Sequence, residues 1–507
     1  MNLTDVEQHL IHHVVDGTVL DLAPGMTDGD INENVMRSWG KLHQIRAEVV
    51  REILRGRHLP DDGPDPHGLQ LRGAWIVGRI DLDGITTPIR LQLSSCYLPD
   101  GLDGRNCVIP RLGLDGSVIA SSSGHGEQGA VRLSGARIAG SLEMRGTTLT
   151  NEAGPALVAD GLTVEGGAFL DGAFTASGHG ELGAVRLVGA RIVGQLFMRG
   201  ATLTNEAGFA LGASGVTVGG DGFLDGAFTA SGHGELGAVN LAGARIGGLL
   251  VMRGATVTNK AGPALVADGA TVGGDGFLDG GFTAIGQGEQ GAVRLAGARI
   301  AGHLQMDAAS VDRARTGAMW VVDGLTYDGY PSVGFDEWLV LLHSGTPAYR
   351  PQPYRQLAAA ARAAGHDDDA RRALIRQRDD QVKRGGLTRP AKAWARFTKF
   401  TLGYGYQPWR ALLGVAVVLL AAVMIVFFTP GALAHTPGAT ACTRVEAFQI
   451  AVDMAIPLVS TSSGSSCHIT ATPSGQFVAW ASVFLTFSGW ALTALFAAGF
   501  TRAIRQP

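Results

Sequence analysis

Apolar residues recur two apart through the middle of the chain, as in Val131/Leu133, Leu142/Met144 and Leu162/Val164. That is the period of a strand with one face in and one face out. The pattern itself repeats. GAVRLSGARI begins at Gly129, GAVRLVGARI at Gly183, GAVNLAGARI at Gly237 and GAVRLAGARI at Gly291, and these starts are equally spaced. A fixed period of about 54 residues, without insertions, marks a solenoid. Each unit holds the pattern twice. Val131, Leu133, Ile138, Leu142 and Met144 return as Leu157, Ala159, Val164, Ala168 and Leu170, and again as Val185, Leu187, Ile192, Leu196 and Met198. One unit is therefore two turns of about 27 residues each. Glycines such as Gly135, Gly140, Gly146 and Gly161 punctuate the turns, and no helix of ordinary length survives that density. The pattern predicts a mainly β fold, a right-handed parallel β-helix. Its rungs lie about 4.8 Å apart and place Met144 over Leu170 over Met198. A pentapeptide-type solenoid is the near alternative, because Leu133 and Ile138 are five apart, but the spacing breaks at Leu142 and Met144.

The flanks read differently. Residues 1–66 are expected to be a helical cap over the open strand edges. Thr4 and Glu7 make a capping-box pattern closed by Gly17, and a second helix is expected from about Glu33 to Leu54. The solenoid is expected over 67–330, roughly ten rungs. Residues 331–386 hold a short helix, Phe335–His343, whose Trp338 is placed to plug the second end. They also hold a TPR-like helical hairpin, Tyr354–Ala364 and Asp367–Arg384. Residues 387–507 form a membrane domain with two transmembrane helices, at about 411–428 and 477–500. Arg389, Lys392, Arg396, Lys399 and Arg410 precede the first span, Arg502 and Arg505 follow the second, and the loop 430–476 carries only Arg444. By the positive-inside rule the amino terminus and solenoid are cytoplasmic and the loop is extracytoplasmic, in a two-span protein of the cell membrane.

Composition alters this picture little. Four cysteines in 507 residues make no disulfide scaffold. Cys442 and Cys467 lie in the outer loop and are placed to form a disulfide there. The net charge of −4 and the lack of a basic stripe argue against a nucleic-acid partner.

Candidate chemistry is sparse. His125, His179 and His233 recur in SGHGE, with Gln287 in the fourth place and Glu127, Glu181, Glu235 or Glu289 two positions on. Two rungs separate successive histidines, too far for one metal ion, and the row reads as solvated turns. Asp171, Asp225 and Asp279 recur as do the acids of polysaccharide-cleaving β-helices, but such enzymes meet their substrate outside the cell. The methionine column Met144, Met198, Met252 and Met306 reads as core. No catalytic, cofactor-binding or metal residue is assigned. Between the spans, Val445–Leu458 places Ala447, Ile450, Ala451, Met454 and Leu458 on one face and Glu446, Gln449 and Asp453 on the other. In an oligomeric pore, Glu446 and Asp453 would form a cation-attracting ring.

Several stretches together carry a resemblance. WGKLHQIRAEVVREIL from Trp39, the LxGAxIxGxLxM rungs, QPYRQLAAAARAAGHDDDARRALI from Gln352, GYGYQPWRAL from Gly403 and FSGWALTALFAAGFTRAIR from Phe487 follow in order. The whole resembles an actinobacterial-type family of two-span membrane proteins with a β-solenoid, often labelled "membrane-associated oxidoreductase". The resemblance implies redox activity and assigns no residue to it. The sequence carries no flavin, nicotinamide, haem or iron–sulfur motif. The residues point to a membrane-anchored scaffold or sensor that docks a protein on its solenoid surface and is open to homo-oligomer formation, with no cofactor. A solenoid-gated pore and the oxidoreductase of the family label are the alternatives.

Overall fold

A computed structural model describes residues 2–61, 63–121, 129–287, 291–306, 320–330, 332–407, 409–435, 442–456 and 467–504. The chain divides into two compact units, Met1–Ala370 and Arg371–Pro507.

In the first unit four short strands make one turn. Val131–Arg132, Arg137–Ile138, Leu142–Glu143 and Thr148–Thr150 form one such turn. Each pairs in parallel with its counterpart one turn on, as Val131↔Leu157, Ile138↔Val164, Leu142↔Ala168 and Leu149↔Ala176. Four ladders therefore run along a parallel β-solenoid of about ten turns. Two ladders have ten strands each among the described residues. The other two merge into one nineteen-stranded sheet only because the long strand Arg299–Met306 serves both. The step from Leu133 to Ile138 is thus the step from one face to the next. Inward residues stack in columns: Met144, Leu170 and Met198 follow their strands in register and are fully buried.

Two kinds of glycine let turns of this tightness stack. Gly135, Gly189, Gly243 and Gly297 occupy one corner with φ of 68°, 64°, 65° and 68°, where a Cβ is strained. Gly219, Gly247 and Gly273 lie against the carbonyl of the preceding turn, so closely that a Cβ has no room.

The amino-terminal region is less helical than its periodicity predicts. Helix α1 (Asp5–Asp16) has its capping box, and Gly17 ends it at φ 69°. The continuous helix expected over Glu33–Leu54 is broken into α2 (Glu33–Arg37), a 3-10 turn at Lys41–His43, a strand Gln44–Arg46 and α3 (Ala47–Leu54). The helix ends at Arg37 with Ser38 as its cap, and Ile45, between polar Gln44 and Arg46, reads equally well with period two. It pairs with Ile76 and is fully buried. Leu20–Asp21 likewise pairs with Leu71–Arg72, so solenoid strands begin well before residue 67.

Beyond the last turn, Thr326–Asp328, come α4 (Phe335–Val340), α5 (Gln352–Ala363) and α6 (Asp367–Arg384). Trp338 is buried and its Nε1 donates to Tyr327 Oη at 2.8 Å. Gln352 accepts from the Gly324 amide and donates to the Leu325 carbonyl, both at 2.9 Å. Gln356 donates to the Tyr327 carbonyl at 2.7 Å. These bonds engage backbone groups that have no further strand to pair with among the described residues.

The second unit contains α7 (Arg389–Leu402), α8 (Trp409–Phe428), α9 (Arg444–Ala455) and α10 (Pro473–Ile504). Helices α8 and α10 are long and apolar enough to cross a membrane. A short antiparallel pair, Leu433–His435 with Cys467–Ile469, lies in the connection between them. Helix α9 buries Ile450, Ala451 and Met454 in one cluster with Ala422 and Val426 of α8 and Val478 and Leu485 of α10.

Candidate functional site

The repeat places arginines in three columns, and their surroundings differ. The first contains Arg132, Arg186 and Arg294, paired to Asp103, Asp160 and Asp268 of the neighbouring turns. The second contains Arg145, Arg199 and Arg253. These pair with Asp171, Asp225 and Asp279 at 3.5, 3.0 and 2.8 Å. Each also lies over an aromatic ring, that of Phe169, Phe223 or Phe277, at 4.1–4.2 Å. The recurring aspartates thus neutralise structural arginines.

The third column is different. Arg137, Arg191, Arg245 and Arg299 are the outward residues of one ladder, alternating with Thr163, Thr217, Thr271 and Thr326. All four arginines are exposed, and no ion pair engages them among the described residues. Two turns separate successive arginines, about 9.6 Å. The flanking glycines Gly219, Gly247 and Gly273 leave the face open beside them. With Thr217, Arg245, Thr271 and Arg299 they line a groove of about 710 Å³. Among the described residues, Glu165 and Asp328 are acids on this face. The expected absence of a basic stripe is therefore corrected: the chain has one, invisible in a net charge of −4 because that sum counts it together with the two columns paired to aspartates. The signal was the arginine of each GARI, recurring once per repeat.

The other candidates fall as follows. His179 and His233 are exposed and line a second, polar groove of about 900 Å³ with Glu152, Glu206 and Lys260. His179 reaches Glu206 at 3.7 Å. Buried Asn151, Asn205 and Asn259 hold the adjoining turns by bonding backbone carbonyls. His125, Glu127 and Glu289 lie outside the described residues, as does Leu458. Cys96 and Cys107 are buried thiols, and burial pushes them up to about 12 and about 11.

Between the apolar helices, Cys442 and Cys467 are joined by a disulfide, Cα–Cα 6.1 Å. Glu446 closes the capping box of α9: its Oε2 accepts from the Thr443 amide and hydroxyl at 2.9 and 2.8 Å. The Thr443 bonds, chiefly, hold this carboxyl below its ordinary range, and His435 adds to them at 3.2 Å. Glu446 is thus committed to its own loop. Asp453 lies two turns further along α9 and is not brought beside it. No family model, curated protein or solved structure matches the chain.

Proposed function

We propose that this protein is a membrane-anchored solenoid scaffold that docks an acidic, extended protein segment along the Arg137–Arg299 face. The carrying observation is the unneutralised arginine column, set in a chain whose other arginine columns are internally paired. Charge complementarity selects an anionic partner. Spacing selects its form. A polyproline II segment has three residues per turn and a rise of about 3.1 Å, so an acid at every third position recurs each ~9.3 Å. That nearly matches the ~9.6 Å of two turns. Duplex nucleic acid, with a charge every ~1.7 Å of axis, is far denser than the column.

The winding is right-handed, the hand that parallel crossovers favour. Helices α1 and α3 at one end, and Trp338, Gln352 and Gln356 at the other, cap the stack and keep it from adding further chains. Phe428, Trp480, Phe484 and Phe487 are 72–79 % exposed on α8 and α10, surface that lipid would cover. The basic residues flanking the two spans support a cytoplasmic solenoid by the positive-inside rule.

The test is a binding titration of the full chain in detergent with a Glu-Pro-Pro repeat peptide. Replacing Arg137, Arg191, Arg245 and Arg299 together by Gln removes four exposed ion pairs, each worth about 0.2–1 kcal/mol, and should weaken binding roughly fourfold or more. Equal affinity for the wild type and this variant would refute the reading.

A further inference from the structure

The connection between α8 and α10 carries a second constellation, independent of the arginine face. His435, Cys442 and Glu446 bring one ligand atom each to within 4.8 Å of one another. Among the described residues they are the one such group of three. His435 Nε2 lies 3.2 Å from Glu446 Oε2. A fourth donor is adjacent: Cys467 is bonded to Cys442 and is the register partner of His435 across the antiparallel pair. Two sulfurs, one imidazole and one carboxylate make a four-donor set of the kind that zinc takes, with ligands roughly 2.0–2.3 Å from the ion. The backbone already converges them. The strand pair fixes His435 opposite Cys467, and the start of α9 fixes Cys442 just before the helix and Glu446 in its first turn.

We propose that the dithiol form of this loop holds one zinc ion through Cys442 Sγ, Cys467 Sγ, His435 Nε2 and the Glu446 carboxylate. The disulfide and the metal are alternative states of the same two sulfurs. A dithiol reductant breaks the S–S bond, passes two electrons and two protons to the cysteines and leaves as its own disulfide. Zinc then displaces the two thiol protons and coordinates the thiolates and a neutral imidazole. The Thr443 and His435 contacts of Glu446 all fall on Oε2, and Oε1 makes none of them, so the carboxylate can turn to the metal without leaving the helix cap. His468 points to the exposed side of its strand and stays outside the set.

Cobalt(II) tests this on the full chain in detergent under anaerobic conditions, because tetrahedral thiolate–cobalt absorbs strongly in the near ultraviolet. The reduced protein should bind one equivalent with that band and lose it on adding one equivalent of zinc. The oxidised protein should show no band. Cys442→Ser with Cys467→Ser should abolish the band, and His468→Ala should leave it unchanged. His435→Ala keeps both cysteines, and its ability to reform the disulfide reports that the loop still folds. It should weaken the metal more than about tenfold, since losing a group that merely orients a ligand already costs that much. A reduced wild type without the band, or a double serine variant that keeps it, overturns the site. An unchanged affinity in His435→Ala removes the histidine from it.

Discussion

Glu7 shows how one buried charge ties the amino-terminal helix to the stack. Its carboxylate is 1 % exposed and meets Arg46 at 2.5 Å. Burial alone would raise its pKa, but the Arg46 guanidinium and the Thr4 and Arg46 amides outweigh burial and bring it from 4.5 to about 2. A group depressed in this way stabilises the fold fully above its unfolded value and loses that contribution as pH falls. Corrected hydrogen exchange of the α1 amides should therefore speed up between about pH 4.5 and pH 2, by up to roughly 3 kcal/mol of protection. Glu7→Gln should remove this pH dependence. The thiols give a second expectation at this scale. Cys96 and Cys107 should resist maleimide in the native chain while the half-buried Cys442, once reduced, reacts, as mass spectrometry of the labelled peptides would show. Thr4, Glu7 and Gly17 were legible as a capped helix because capping is local chemistry. The Glu7–Arg46 pair was not, since its partners lie far apart along the chain.

At the scale of elements, the strand columns were legible and the strand count per turn was not. Period-two alternation marks which residues point inward, and a strict repeat fixes which turn lies over which. It does not show where a turn bends, because two-residue strands are too short to carry a period of their own. The same ambiguity converted an expected helix into the strand Gln44–Arg46. Close approach at the glycine column makes a sharp prediction. Gly247→Ala sets a methyl against the Gly219 carbonyl, which is backbone and cannot yield. The cost should be about 1–3 kcal/mol, the range for overpacking, read as a lowered unfolding midpoint in denaturant. Ala at a corner open to solvent, such as Gly243 with φ 65°, should cost less, because only backbone strain opposes it. Replacing both Gln352 and Gln356 by Ala should expose backbone groups of the last turn and speed exchange there first, before the middle turns.

For the molecule as a whole, function follows from what the repeat leaves unbalanced. Two arginine columns are neutralised from within; among the described residues the third has no acid paired to it, and it recurs at a fixed distance. Composition concealed this, since net charge sums over all three and cannot tell a paired guanidinium from a free one. Only register separates them. The proposed sidedness can be checked in intact cells: after mild reduction, a membrane-impermeant maleimide added outside should label Cys442. Labelling only after lysis would place that loop inside.

The most direct test of the docking face is a comparison of register. Peptides of equal length, each with the same number of Glu set three apart or two apart and filled out with neutral residues, are titrated against the full chain. The arginine column predicts tighter binding of the period-three peptide and loss of that preference when Arg191 and Arg245 become Gln. Equal affinities for the two peptides, or a preference that survives those substitutions, would contradict it.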